Sequence, residues 1–369
     1  MAGTLDNMMA VYQRREGADL VFQPRLSHWY AANTAAGTLP EKYHGMYLDE
    51  IYKELDVTPR EVWRPGGGYL GFATKQENEV ERWVGKKEDH IVIEYRTPKG
   101  TIREVERRTE HGTSTYWSEY LLKDLKDIEV YKYILEGQRY EWDQRSHEWG
   151  KKRFGDLLPL KVRVPHSPLM DVTVHLMGFK QTVLMLWRHP KEMGELMQLL
   201  ENGFYQMIDE CKGKSVVEFG FGNNMHQDMC PPPYFKKYVI PFFERVMPRI
   251  HAMGMYSTDH WDGYVKQLFP LLKATQLDGL ECVTPVPQGD VTINEMQEGM
   301  KGIFLRDGIP AVLFCPWSSL KELEDTVRKL IKAFYPRLIL GVSDLFPANG
   351  DIERIRFVNK IVQEFNDSK

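Results

Sequence analysis

Apolar positions divide this 369-residue chain into two textures. Up to about residue 165 the pattern is irregular, charged and aromatic. Within it, IVIEYRTPKGTIREVERRT alternates β-branched and polar residues around a Pro-Lys-Gly turn, which predicts a β-hairpin. From about residue 170 a rhythm sets in, with short apolar runs that end in polar residues and lead into amphipathic helices. Behind His189-Pro190, Met193, Leu196, Leu199, Leu200, Phe204, Met207 and Ile208 recur at three-and-four spacing and predict a helix. SVVEFGFG is the next strand candidate. A helix from Tyr234 to about Met253 follows, with Pro232 and Pro233 near its first turn. GMYSTDH, a short helix, GLECVTP and AVLFCP continue the alternation. Ser319 and Glu322 form a capping-box pattern ahead of Leu323, Val327, Leu330 and Phe334, and RLILGVSD leads to a last helix near Ile352 to Phe365.

Strands alternating with helices imply parallel pairing through right-handed crossovers. Repeated this often, with polar residues at the C-terminal end of each strand, the pattern predicts an α/β fold, a (β/α)8 TIM barrel, rather than an open sheet. Residues 1–165 would supply an N-terminal extension with the hairpin, lid-like loops and the first part of the barrel. Residues 166–369 would supply the main barrel portion, all within one structural domain. Composition agrees: 42% hydrophobic and 12% aromatic residues suffice for a large core. The net charge of −4 is interspersed and forms no basic stripe, which speaks against a nucleic-acid partner. No run approaches the roughly 18 apolar residues of a membrane span, and MAGTLDNMMAVYQRREG meets charges too early for a signal peptide. Cys211, Cys230, Cys282 and Cys315 show no CxxC spacing and read as reduced thiols, so a cytoplasmic location is expected.

Barrel enzymes carry their chemistry where strands end and successive loops converge. The predicted ends bring Glu218 with Asn223 and Asn224, His260 with Asp262, then Glu281, Cys315 and Asp344 to one place. His260 and Asp262 stand two apart at a strand end and can face the same way. With Glu281 and Asp344 they suit Zn²⁺ or a similar divalent ion. The alternative is an ordinary Asp262-Gly263 turn beside a hydrogen-bonded wall histidine. Glu218 and Glu281 also leave a glycosidase carboxylate pair open, with Trp29, Trp63 and Trp261 to stack on sugars, although nothing marks either as acid or nucleophile. WRPGGGYLGF is neither a dinucleotide fingerprint nor a P-loop. It reads as a tight loop or as an aromatic lid carrying Trp63 and Tyr69. His226 either lines a pocket or packs within its loop, and Cys315 reads as a buried strand-end thiol.

PPYFKKYVIPFFERVMPRIHAMG, the H-x-D-G at His260, GLECVTPVPQGDVTINEMQEGM and RLILGVSDLFPANGDIERIRFV together resemble the uroporphyrinogen decarboxylase superfamily. The resemblance covers residues 170–369 well and the first part only in outline, through GTLPEKYHGMYLDEIYKELDV and the Thr-Pro-x-Gly hairpin. The R-Q-A-G-R segment with which true decarboxylases hold substrate carboxylates has no counterpart, since the comparable region reads FQPRLSHWYAANTAAG. The resemblance therefore points to the other branch, the corrinoid-dependent methyltransferases. Members that methylate coenzyme M hold zinc with H-x-C-G and a later cysteine. Asp262 stands at the first thiolate position here and Asp344 near the second. Carboxylates in place of thiolates imply a stronger Lewis acid, suited to an ether oxygen rather than to a thiol. The implied activity is removal of methyl from a small aromatic methyl ether and its transfer to the cobalamin of a separate corrinoid protein. His260, Glu281, Asp344 and Asp262 are the implied metal ligands, and His260, Asp262 and Glu218 the catalytic groups. Asn223, Asn224, Trp29, Trp63, Tyr69 and His226 would contact substrate. A decarboxylase of another substrate, or a non-enzymatic corrinoid or small-ligand binder, is the alternative.

Overall fold

The computed structural model describes residues 3–60, 71–109, 115–154 and 157–369. At its centre is a curved sheet of seven strands: β1 (Val21–Phe22), β2 (Lys161–Val164), β3 (Glu218–Met225), β4 (Tyr256–Trp261), β5 (Gly279–Glu281), β6 (Phe304–Pro310) and β7 (Leu338–Ser343). The order is β1-β7-β6-β5-β4-β3-β2, and every neighbouring pair is parallel. Beyond β1 the buried residues 57–60 run alongside, where the Thr58 N–H donates to the Phe22 carbonyl at 3.1 Å. Pro59 has no N–H to continue that ladder, and no eighth paired strand forms among the described residues. The result is an α/β barrel of the TIM type.

β6 and β7 are buried along their whole lengths, as strands covered on both faces must be. Helix Pro190–Glu210 starts at the predicted proline and buries Met193, Leu196, Phe204, Met207 and Ile208. Helix Leu320–Phe334 buries the predicted Leu323, Val327, Leu330 and Phe334, but Ser319 makes no side-chain cap. A capping box does form at Thr292 and Glu295, opening helix Ile293–Gly299. AVLFCP is not a strand. Residues Ala311–Phe314 make a 3₁₀ turn, and the strand lies just upstream in FLRDGIP. An arginine and an aspartate at its middle conceal that strand from apolar periodicity, and Cys315 falls beyond its end. The predicted hairpin pairs His90–Thr97 with Gly100–Arg108 and forms the centre of a four-stranded antiparallel sheet. Among the described residues no helix is long and apolar enough to cross a membrane.

The apolar core lies between strands and helices, where Phe221 of β3 packs on Phe242 and Phe243. The barrel axis holds something else. Inner positions of such barrels are usually filled by branched apolar side chains. Along β3 they read Glu218, Gly220 and Gly222. A Cβ at 220 would stand 2.6 Å from Lys161 Cε, and one at 222 would stand 3.2 Å from Arg163 Nη2. The two glycines leave the space through which Lys161 and Arg163 of β2 reach into the axis.

Candidate metal centre

Side chains alternate along β4, so Thr258 and His260 face the axis while Asp259 turns away. Asp259 accepts hydrogen bonds from Trp261 Nε1 (2.8 Å) and Asn223 Nδ2 (2.9 Å), and burial pushes its carboxyl up to about 6. His260 is almost fully buried. Its Nδ1 lies 3.1 Å from Glu281 Oε1 on β5, and its Nε2 turns towards Asp262 Oδ2 at 3.9 Å and Asp344 Oδ1 at 4.0 Å. Burial works against a charged imidazole, but Asp262, Glu281 and Asp344 outweigh it and hold His260 up to about 9.

Cys282 completes the cluster. Its Sγ lies 3.3 Å from Asp344 Oδ1 and 3.2 Å from Asp307 Oδ2. Strand alternation would send Glu281 and Cys282 to opposite faces. Cys282, however, has a φ of 69°, a left-handed conformation uncommon outside glycine, and its side chain turns to the same side as that of Glu281. Asp307, beside Arg306 on β6, does the same at a φ of 81°. Burial pushes the Cys282 thiol well above its ordinary range, and Asp344, Asp307 and Glu281 add to the effect. Asp344 is opposed by burial too, yet His260 and Arg25 hold it below the usual carboxylate range. Arg25 Nη1 donates to its Oδ1 at 2.6 Å.

One donor atom from each of His260, Cys282 and Asp344 lies within 4.8 Å of the other two. A histidine braced at its rear nitrogen by a carboxylate, joined by a thiol and a second carboxylate, fits Zn²⁺. A thiol held protonated by surrounding carboxylates is a group whose proton a divalent cation displaces on binding. Asp262, two-fifths exposed at the rim, offers a fourth oxygen. Cys282→Ser should weaken zinc binding by roughly 100-fold, because a hydroxyl is a far poorer ligand than a thiolate. Equilibrium dialysis against a zinc buffer reads this, and an unchanged affinity would remove Cys282 from the site.

Glu281, expected among the ligands, stands behind the imidazole. Its Oε1 accepts from Arg163 Nη1 at 2.8 Å, and its Oε2 from Lys161 Nζ at 3.0 Å and Arg60 Nη2 at 3.2 Å. Despite burial, these cations and His260 keep it well below the usual range. Glu218 departs further from expectation: it opens β3, at the opposite pole from the strand ends. Arg306 forks onto its two oxygens at 2.8 and 2.6 Å, Lys161 Nζ stands 2.8 Å away, and the hydroxyls of Tyr12 and Thr258 donate to it. Lys161 bridges the two glutamates, and neither is held protonated as a glycosidase acid must be.

Asn223 is fully buried and spends both ends of its amide inside the frame, accepting from the Ser167 N–H at 2.5 Å and donating to Asp259. Trp29 is core, not a stacking surface, because it lies buried between Tyr43 and Phe346 beneath the loop that carries Asp344. Asn224 is exposed, and His226 packs at a tilt against Tyr264 above Gly263, next to Asp262. Trp63 and Tyr69 lie outside the described residues. An imidazole pair, absent from the sequence expectations, sits just beyond the end of β2. His175 Nε2 and His166 Nδ1 are 2.9 Å apart, and burial keeps both rings below their ordinary range. His166 Nε2 and Ser167 Oγ are buried with no partner among the described residues.

Among solved structures, the chain is similar over nearly its whole length to a methyltransferase from Methanosarcina mazei, with a TM-score of 0.61, 10% sequence identity, and coverage of 98% of this chain and 99% of that one. The two share a fold. A B12-independent methionine synthase from a Shewanella species, in complex with selenomethionine, is also similar over 90% of each chain, at 11% identity and a TM-score of 0.47. That likeness is too loose to argue from. No protein-family profile and no curated protein matches the sequence.

Proposed function

We propose that the chain is a methyltransferase that takes the methyl group of a small aromatic methyl ether and passes it to the cob(I)alamin of a separate corrinoid protein. The observation that carries this proposal is the donor set of one imidazole, one thiol and two carboxylates where β4, β5 and β7 end. Its oxygen-rich character favours action on an oxygen over activation of a thiol. The fold shared with a methyltransferase supports the same class.

A zinc ion held by His260, Cys282 and Asp344 would supply a Lewis acid for the ether oxygen. The protein's own residues prepare that place. Glu281 fixes the His260 ring through Nδ1, and Arg25 fixes the Asp344 carboxylate. As the C–O bond breaks, its electron pair stays on the oxygen, and the methyl group leaves to the nucleophilic cobalt of the partner. A phenolate leaves poorly near neutral pH, so donors aimed at the growing negative charge lower the barrier. The free ring nitrogen of His166, with its tautomer set by His175, is assigned that hydrogen bond. The test is optical. Protein, a methoxylated phenol and a reduced corrinoid protein should together convert cob(I)alamin to methylcobalamin. Absence of conversion across methoxylated phenols, methylamines, methyl thioethers and chloromethane would sink the proposal.

A further inference from the structure

We propose that His166, Asp171 and His175 form a second metal site, for a divalent ion of octahedral preference such as Fe²⁺ or Mn²⁺. One donor atom from each lies within 4.8 Å of the other two, and all three side chains are part-buried. The site stands apart from the methyl-transfer reading and needs neither its substrate nor its zinc. His166 follows β2, Asp171 closes the short helix Pro168–Asp171, and His175 lies in the π-helical turn Val172–Leu176 that continues it. Residues four apart on a helix are neighbours on its surface, which brings Asp171 and His175 to the same side. A single widened turn of this kind recurs at functional sites. Trp117, from the antiparallel sheet, stands edge-on to the His175 ring at 5.2 Å and walls the cluster.

The distances fit one ion. His166 Nδ1 and His175 Nε2 are 2.9 Å apart, with the ring planes at 70°. Nitrogens about 2.1 Å from a common ion stand about 3.0 Å apart at an octahedral right angle and about 3.4 Å apart at the tetrahedral angle. The observed spacing matches the octahedron. Two imidazoles with one carboxylate are also the donor set of mononuclear Fe²⁺ sites with open positions. Zinc, which settles at tetrahedral angles, is the poorer match. A hydrogen bond between the rings accounts for the imidazoles but leaves Asp171 unexplained. Burial alone pushes its carboxyl up to about 7, with no cation among the described residues to oppose it. A divalent cation displaces such a proton on binding. Burial also keeps both imidazoles in the neutral form that offers a lone pair. An ion on Nδ1 of His166 leaves the ring proton on Nε2, the form in which this ring donates to a departing phenolate.

The experiment is titration of the full chain carrying His260→Ala with Mn²⁺, followed by the electron paramagnetic resonance of the free ion. That background silences the His260 centre, and the readout requires neither methyl donor nor corrinoid protein. One Mn²⁺ per chain should bind at submillimolar concentration. Asp171→Asn, added to this background, keeps the shape of the side chain and removes its charge. It should weaken binding by ~10-fold or more, since even a partner behind a ligand is worth about 10–100-fold. His175→Ala should abolish binding. If that variant does not fold, Asp171→Asn decides. Absence of Mn²⁺ binding up to millimolar concentration overturns the proposal, as does binding that either substitution leaves unchanged.

Discussion

Replacing His260 with alanine should lower methyl transfer by roughly 1,000-fold or more and leave the protein unable to retain zinc at micromolar concentration. The imidazole is braced by Glu281, and its loss takes a ligand away while stranding Glu281 among its cations. Glu281 keeps three cationic partners, so the fold should survive, and circular dichroism of the variant should match that of the parent. Zinc content by mass spectrometry and the cob(I)alamin assay then separate two outcomes. Loss of both places His260 at the metal. Full metal content with full turnover in the variant would refute the assignment of the whole cluster.

The second large effect concerns stability. Arg306→Met removes the fork that grips Glu218 and leaves a carboxylate with no exposed surface short of its strongest partner. Breaking a buried ion pair from one side costs about 3–5 kcal/mol, and for a chain of this length the midpoint of thermal unfolding should fall by on the order of 5 °C. Removing the charge from the other side as well, in Glu218→Gln/Arg306→Met, should recover part of the loss, because the stranded charge is then gone. Melting curves of the parent, the single and the double variant measure both steps. A double variant no more stable than the single one would show that the pair contributes chiefly through packing.

The positions that sequence periodicity located well are those obeying ordinary alternation. The helices behind His189-Pro190 and Ser319, the hairpin, and His260 with Asp262 at the end of β4 all follow two- or three-and-four-residue spacing. The misplaced residues break such a rule for a physical reason. Cys282 escaped notice because a positive φ reverses its side chain, and no residue type signals that backbone state except glycine. Arg306 and Asp307 sit in the middle of a strand whose interior neighbours are ions, so the strand has no apolar signature. Lys161 and Arg163 come from KVRV, where polar residues on the inner face look like the solvent face of a surface strand. Glu218 looks like a strand end in the sequence because its strand continues through two glycines. Those glycines are the visible trace of the ions they accommodate, and a glycine pair alternating with phenylalanines is the one cue that a charged axis leaves in the sequence.

Glu281 and Cys282 are consecutive in the chain and face the same way. The carboxylate that orients the imidazole and the sulfur that stands beside it are thus carried on a single peptide unit at the end of a three-residue strand. When that strand end shifts, both move together and by nearly the same amount. The cluster therefore has fewer independent moving parts than it has side chains. Its spacing should tolerate rearrangement of the surrounding loops during substrate entry or partner docking better than a centre assembled from separately mobile residues would.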